Sequence, residues 1–318
     1  MKLITSTLMA LVFTVSVIGA EKTPAQYLQE ISVTIVSEGE YSRGEGSGVI
    51  FTRKDSQGNL VNYVWTAGHV IDNLRRERKV ISNGSPRTIV EFKDAKIVKV
   101  IRQDGRSVGT LEMDAEVIKY SDATDGHDLA LLRIRKRDFI KGTVIFHLGA
   151  EIPKLGTDLW HVGSLLGQMG SNSMTDGIYS QTGRVIKSLN KHVFDQTTVA
   201  AFPGSSGGGV FLKRDRKYIG MLVRGAGETF NLIVPARRMQ NWCKENKIEW
   251  ALDPKIAMPS EAEMKKISIE DVGADFSEKN EKEKAKRQTR AQKEFPFWYK
   301  NEKKGHSFIG PKEYHSAD

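Results

Sequence analysis

Three short segments hold residue types from which a hydrolytic site can be assembled. Phe202-Pro203-Gly204-Ser205-Ser206-Gly207-Gly208-Gly209 sets a serine among glycines. A serine nucleophile needs a base beside its hydroxyl and backbone donors aimed at the oxyanion it creates. Gly204 lets the chain turn where a Cβ would clash. Its N–H and that of Ser206 can then converge as an oxyanion hole, and Gly207 and Gly208 leave room for a substrate carbonyl. Taken alone, the stretch reads equally well as a glycine-rich hairpin turn. Thr66-Ala67-Gly68-His69-Val70 follows the apolar Tyr63-Val64-Trp65, and Asp128 stands at the mouth of a second apolar run, Leu129 to Ile134. An imidazole titrates near neutrality, so it can take a proton and return it. Each residue also has a plainer reading, as a core histidine or a turn-capping aspartate. Asp122 and Asp125 compete for the carboxylate role, but only Asp128 directly opens the Leu-Ala-Leu-Leu run. Ser205 competes with Ser206, but only Ser206 has the Gly-x-Ser-Gly-Gly register.

In the order His, Asp, Ser, these segments resemble the trypsin-like (chymotrypsin-fold) serine peptidases, whose chain order differs from that of subtilisin and the α/β-hydrolases. The likeness is greatest to the Deg/HtrA-type bacterial members. It extends to Gly46-Ser47-Gly48-Val49-Ile50, Thr175-Asp176-Gly177-Ile178-Tyr179-Ser180 with Gly183-Arg184, and Ile219-Gly220-Met221-Leu222, and so spans roughly residues 31 to 245. The resemblance implies that Ser206 attacks, that His69 is the general base and acid, and that Asp128 orients the imidazole. It implies an all-β fold of two six-stranded antiparallel β-barrels with a C-terminal helix and a charged tail, and it calls for no metal or organic cofactor. A serine at Ser205 departs from the classical trypsins, which have there a carboxylate that pairs with a newly freed N-terminus. The expectation is that no such maturation is required.

By the same resemblance, Ala200 and Ala201 line the base of the primary specificity pocket, which favours small or medium apolar side chains. Val223-Arg224-Gly225 resembles the strand that takes substrate on as a further strand. Arg224 is then expected beside the substrate, favouring acidic residues upstream of the cleaved bond. Leu222 and Val223 stand where glutamyl peptidases have a histidine, which argues against an acidic preference in the pocket itself. Gly204 to Gly208 also matches the G-x-S-x-G elbow of esterases. That fold needs a helix after the serine and a histidine later in the chain, whereas Val210-Phe211-Leu212 continues as a strand and the only later histidines, His306 and His315, lie in a polar tail.

The elements that must carry these groups read as short strands between turns. Ile31 to Ser37 alternates with period two, Gly48 to Thr52 and Val61 to Trp65 follow, and Asp55 to Asn59 is a hairpin turn. Ala95 to Ile101, Leu111 to Tyr120, Leu129 to Ile134, Asp158 to Val162, Tyr218 to Val223 and Phe230 to Val234 are further strands. Gly177 to Ser188 reads as a strand pair, and Thr197 to Ala201 leads into the serine loop. Asn73 to Lys79 reads as a loop or short helix in an insertion, residues 71 to 127. Ala236 to Asn246 has helical spacing of Met239, Trp242 and Cys243. The expected domains are a barrel over about 31–140 and another over about 150–245, within a unit spanning 21–250.

The chain has 318 residues and a formal charge of +9, enough length for a large core. No zinc-ligand cluster or basic-aromatic module argues for nucleic acid. Cys243 is the only cysteine, so no intrachain disulfide forms. Lys2, the apolar run Leu3 to Ile18 and the small pair Gly19-Ala20 read as a secretory signal over residues 1–20. Its length falls short of a comfortable membrane span. With the resemblance, it implies a periplasmic or secreted protein. Residues 251–318 read as a charged, partly disordered tail, too short and too charged for the PDZ domain usual after Deg-type proteases. Within 278–304, Phe295-Pro296-Phe297-Trp298-Tyr299 either folds back onto the protein or docks a partner or membrane surface. The function expected is a serine endopeptidase acting on proteins or peptides. The alternative is a non-catalytic peptide-binding or structural protein on the same fold.

Overall fold

The computed structural model describes residues 22–82, 85–103, 105–186, 192–225 and 229–271. The signal-like residues 1–20 and the tail segment 278–304 lie outside them. A capping box from Thr23 to Gln26 and Pro24 in the first turn start helix α1 (Pro24–Glu30). Eight strands follow, β1 (Ser32–Glu38), β2 (Arg43–Lys54), β3 (Leu60–Thr66), β4 (Arg75–Ser82), β5 (Ser85–Phe92), β6 (Ala95–Gln103), β7 (Arg106–Ser121) and β8 (Leu129–Ile134). A connection over 135–157 leads to β9 (Asp158–Leu165), β10 (Gly170–Val185), β11 (Val193–Thr197), β12 (Gly209–Leu212), β13 (Tyr218–Gly225) and β14 (Asn231–Pro235), then helices α2 (Ala236–Glu245) and α3 (Glu261–Met264).

Every neighbouring pair is antiparallel. The order β1-β2-β3-β8-β7-β6 closes one barrel, and β10-β11-β14-β13-β12-β9 closes another. The two-barrel architecture is therefore present, and closure leaves neither barrel with an open edge. Phe51 on β2 and Tyr63 on β3 stack with centroids 5.2 Å apart, on the face of the first barrel that Trp250 covers. Trp242 on α2 meets Trp65 on β3 edge-on at 5.9 Å, so the helix that ends the second barrel is buried against the first.

Three expectations are corrected. Asn73 to Lys79 is neither loop nor helix over most of its length. Arg75 starts β4, which pairs with β5 in a two-stranded ribbon outside the barrel; its dense charge suits a ribbon with both faces in water. Gly177 to Ser188 does not form a strand pair: residues to Val185 belong to the single strand β10, which bulges twice against β11. Residues 252–271 are folded onto the first barrel rather than part of a tail. Lys119 Nζ donates to Ser268 O (3.0 Å) and Glu270 O (2.8 Å), Tyr120 N to Ile269 O (2.7 Å), and, from α2, Trp242 Nε1 to Asp271 Oδ1 (2.9 Å). Polar sequence hid this strap because its apolar contacts, Leu252, Met258, Met264, Ile267 and Ile269, are scattered among charged residues, and its last residues are held through backbone carbonyls.

Candidate active site

His69 follows β3 at the start of a 3₁₀ turn, Gly68–Val70. β3 pairs with β8 from Tyr63↔Arg133 to Thr66↔Ala130, so the end of β3 lies beside the start of β8, where Asp128 stands. Asp128 has φ +57°, a left-handed conformation that aspartate tolerates better than most residues. Its Oδ1 accepts from the backbone N–H of His69 (3.0 Å) and lies 2.9 Å from Nδ1, with Oδ2 at 3.0 Å from Nδ1. One carboxylate thus holds both the backbone and the ring of the histidine. Both side chains are nearly inaccessible. Burial works against ionising Asp128, but His69, Arg224 and the His69 donors outweigh it and hold the carboxyl well below the usual range. The rival Asp122 is committed to its own turn, accepting from the N–H groups of Thr124 (2.7 Å) and Asp125 (2.9 Å).

The serine loop is brought to the histidine by close backbone approach. Gly207 has φ +87°, and a Cβ there would sit 2.1 Å from Ser47 O, 2.4 Å from Thr66 Oγ1 and 3.0 Å from Ala67 N. Only glycine lets the residue after Ser206 lie against the segment leading to His69. On the other side, Gly207 N donates to Leu222 O (2.8 Å) and Leu222 N to Gly208 O (3.0 Å), fastening the loop to β13.

Ser47, on the first barrel, is a residue to which the sequence reading attached no role. Its N–H donates to Ser206 O (2.7 Å). Its hydroxyl donates to Gly204 O (2.6 Å) and accepts from Ser164 N (2.7 Å). Pro203 O accepts from Leu166 N (2.7 Å). In a trans peptide the C=O and N–H point opposite ways, so the Gly204 N–H is turned away from Leu166. Ser205 is fully buried; its N–H donates to Phe202 O (2.9 Å), and its Oγ accepts from Phe202 N (3.1 Å). The loop thus closes on its own backbone. The Gly-Ser-Gly of residues 46–48 was the available signal for Ser47, but nothing in its spacing linked it to residues more than 100 positions later.

Among the expected substrate-binding residues, Ala200 is partly exposed, and its carbonyl accepts from Thr175 Oγ1 (2.8 Å). Ala201, Val223 and Gly225 are buried. Arg224 requires a correction. Its side chain is 2% exposed and turned onto Asp128 and His69, with Nη1 3.1 Å from Asp128 Oδ2. The cause is a bulge: β13 pairs Leu222 with Ile233 but Arg224 with Leu232, leaving Val223 as an extra residue. Such an insertion re-aims the following side chain, and strict alternation along the sequence does not reveal it.

The sequence matches a family model described as a trypsin-like peptidase domain over residues 46–221. A search of curated proteins found no relative by sequence. Similar folds are found in the HtrA-type protease AlgW solved with a tripeptide (20% identity over 73% of this chain and 65% of that one, TM-score 0.50) and in a serine endoprotease from Yersinia pestis (20% identity, 72% and 68%, TM-score 0.49). A protease from M. tuberculosis in its active form is 14% identical, covering 70% of this chain and 82% of that one, with a TM-score of 0.48.

Proposed function

Because this chain belongs to the trypsin-like peptidase domain family, we propose that it is a serine endopeptidase whose working groups are His69, Asp128 and Ser206. Ser206 Oγ attacks the peptide carbonyl carbon as its proton passes to His69 Nε2. The carbonyl oxygen becomes an oxyanion, facing the N–H groups of Gly204 and Ser206. The imidazolium then gives its proton to the leaving amine as the C–N bond breaks, leaving an acyl-enzyme. Water repeats the sequence and frees the acid. Asp128 keeps the Nδ1–H tautomer and offsets the imidazolium charge.

The observation that carries this reading is the double grip of Asp128 on the backbone and ring of His69, with Gly207 packed against Ala67. Ala200, Ala201 and Val223, with no charged side chain among them, support cleavage after small or medium apolar residues. The expectation that Arg224 selects acidic residues upstream is withdrawn, since its guanidinium is buried. Residues 1–20 support export to the periplasm or the medium.

A fluorophosphonate probe tests the reading directly. Ser206 is the expected site of labelling, and labelling should vanish in Ser206→Ala and fall at least ~10³-fold in His69→Ala. An unlabelled wild type, or labelling indifferent to His69, would defeat it.

A further inference from the structure

A buried arginine is the unusual component of this site. Arg224 Nη1 lies 2.8 Å from Val223 O, 3.1 Å from Asp128 Oδ2, 2.8 Å from His69 Nδ1 and 3.5 Å from His69 Nε2. A guanidinium NH₂ has two hydrogens; one is donated to Val223 O, while Asp128 Oδ2 lies at ion-pair distance and the ring nitrogens lie beside the same Nη1. The position on the ring plane beside Nδ1 is already held by the Asp128 carboxylate. A nitrogen on the Nδ1 lone pair would also be far from Nε2. Closeness to both ring nitrogens therefore sets Nη1 over the face of the imidazole. The contact is a cation against a ring that must itself become a cation during catalysis.

Resting on the peptidase reading above, we propose that Arg224 is a positioning residue of the reaction: it fixes the Asp128 carboxylate and makes His69 a weaker base than an aspartate–histidine couple alone. With neutral His69, the cluster holds one carboxylate and one guanidinium. Protonating His69 sets a second cation beside the Asp128–Arg224 pair, where side chains of 2%, 4% and 6% exposure give little solvent screening. The site consequently keeps its neutral base to lower pH. The bulge at Val223 is the structural means, because it turns Arg224 towards the first barrel.

Other charged and titratable groups surround the couple. Asp72 follows His69, its carboxyl raised to about 7 by burial and then by Asp122. Tyr120 donates to Asp72 from β7. Asp122 and His127 lie in the loop before Asp128, with burial and then Arg238 lowering His127 to about 3. Arg238, on α2, donates to His127 O (2.6 Å). All of these remain when Arg224 alone is replaced, so a difference between variants reports Arg224.

The test compares wild type with Arg224→Met and Arg224→Lys by two measurements. The acidic limb of kcat/KM should move up by about one pH unit or more in Arg224→Met, so that activity at pH 5.5 relative to pH 8 falls several-fold. Arg224→Lys, which retains charge without the planar fork, should keep the limb near its wild-type position. The His69 ring titration, followed by NMR and assigned with His69→Gln, should show the same shift without requiring turnover. A shifted titration in a protein that no fluorophosphonate labels would support the role of Arg224 and reject the peptidase reading. Arg224→Met or, should it not fold, Arg224→Gln with an unmoved His69 midpoint would overturn the proposal, even if activity fell equally at every pH.

Discussion

Ser47 Oγ donates a 2.6 Å hydrogen bond to Gly204 O, joining a strand of the first barrel to the loop of the second that precedes Ser206. The same hydroxyl accepts from Ser164 N. Ser47→Ala would leave both backbone groups without this partner in a buried setting, at a cost of about 1–3 kcal/mol. The larger expected effect is on rate. With Gly204 less firmly held, kcat should fall by up to ~10²-fold with little change in KM. Steady-state kinetics beside a thermal melt checks this; a kcat equal to wild type in the folded variant would remove Ser47 from the catalytic framework.

Ser205 makes its loop independent of a distant charge. A trypsin-style carboxylate would need a partner amine, whereas the Ser205 hydroxyl is satisfied by Phe202 N. Activity should therefore be the same with and without an N-terminal extension before Glu21. Strict dependence on a trimmed end would contradict the expectation.

Acid should loosen the second barrel beneath the serine loop. His161 is fully buried on β9, with Nδ1 3.1 Å from Gly209 O and with no hydrogen-bond partner for Nε2 among the described residues. A carbonyl partner requires Nδ1–H, so a second proton would land on Nε2 away from water. Burial lowers the group from 6.5 to about 4. The folded state then binds fewer protons than the unfolded chain between those values. Its stability is complete above about 6.5 and is lost as pH falls towards 4, by roughly 3 kcal/mol at full protonation. Urea midpoints of wild type and His161→Gln across that range provide the check. The variant should start lower at pH 7.5 and decline less steeply; equal slopes would mean that His161 carries none of the acid sensitivity.

The strap over residues 252–271 should contribute to stability. A chain ending at Asp271 keeps the Trp242–Asp271 and Lys119–Glu270 contacts and should melt with the full-length protein. A chain ending at Ala251 loses these together with buried Met264. Its Tm should drop by on the order of 10 °C. Coincident melting of the two truncations would show that the strap contributes nothing.

Much of the barrel framework was legible because half-buried strands alternate with period two, as in Ile31 to Ser37, and because each turn has its own chemistry, as in Asp55 to Asn59. The ribbon β4–β5 was not legible: its Arg and Glu face water on both sides and leave no periodic apolar trace. The strap was missed for a related reason, since Ser268 and Glu270 work through main-chain carbonyls that every residue possesses. His69, Asp128 and Ser206 were proposed from three separate local signals in a recognisable order.

Sequence alone determined the residue types available for chemistry, the glycines that permit a tight serine loop, and the alternation that builds barrel strands, because these depend on local sterics and polarity. Only the tertiary structure decided that Ser47 holds the loop and that Arg224 faces His69 rather than a substrate. The first depends on contact between positions remote in the chain. The second depends on one extra residue in a strand pairing, which reverses a side chain without leaving any mark in composition or spacing.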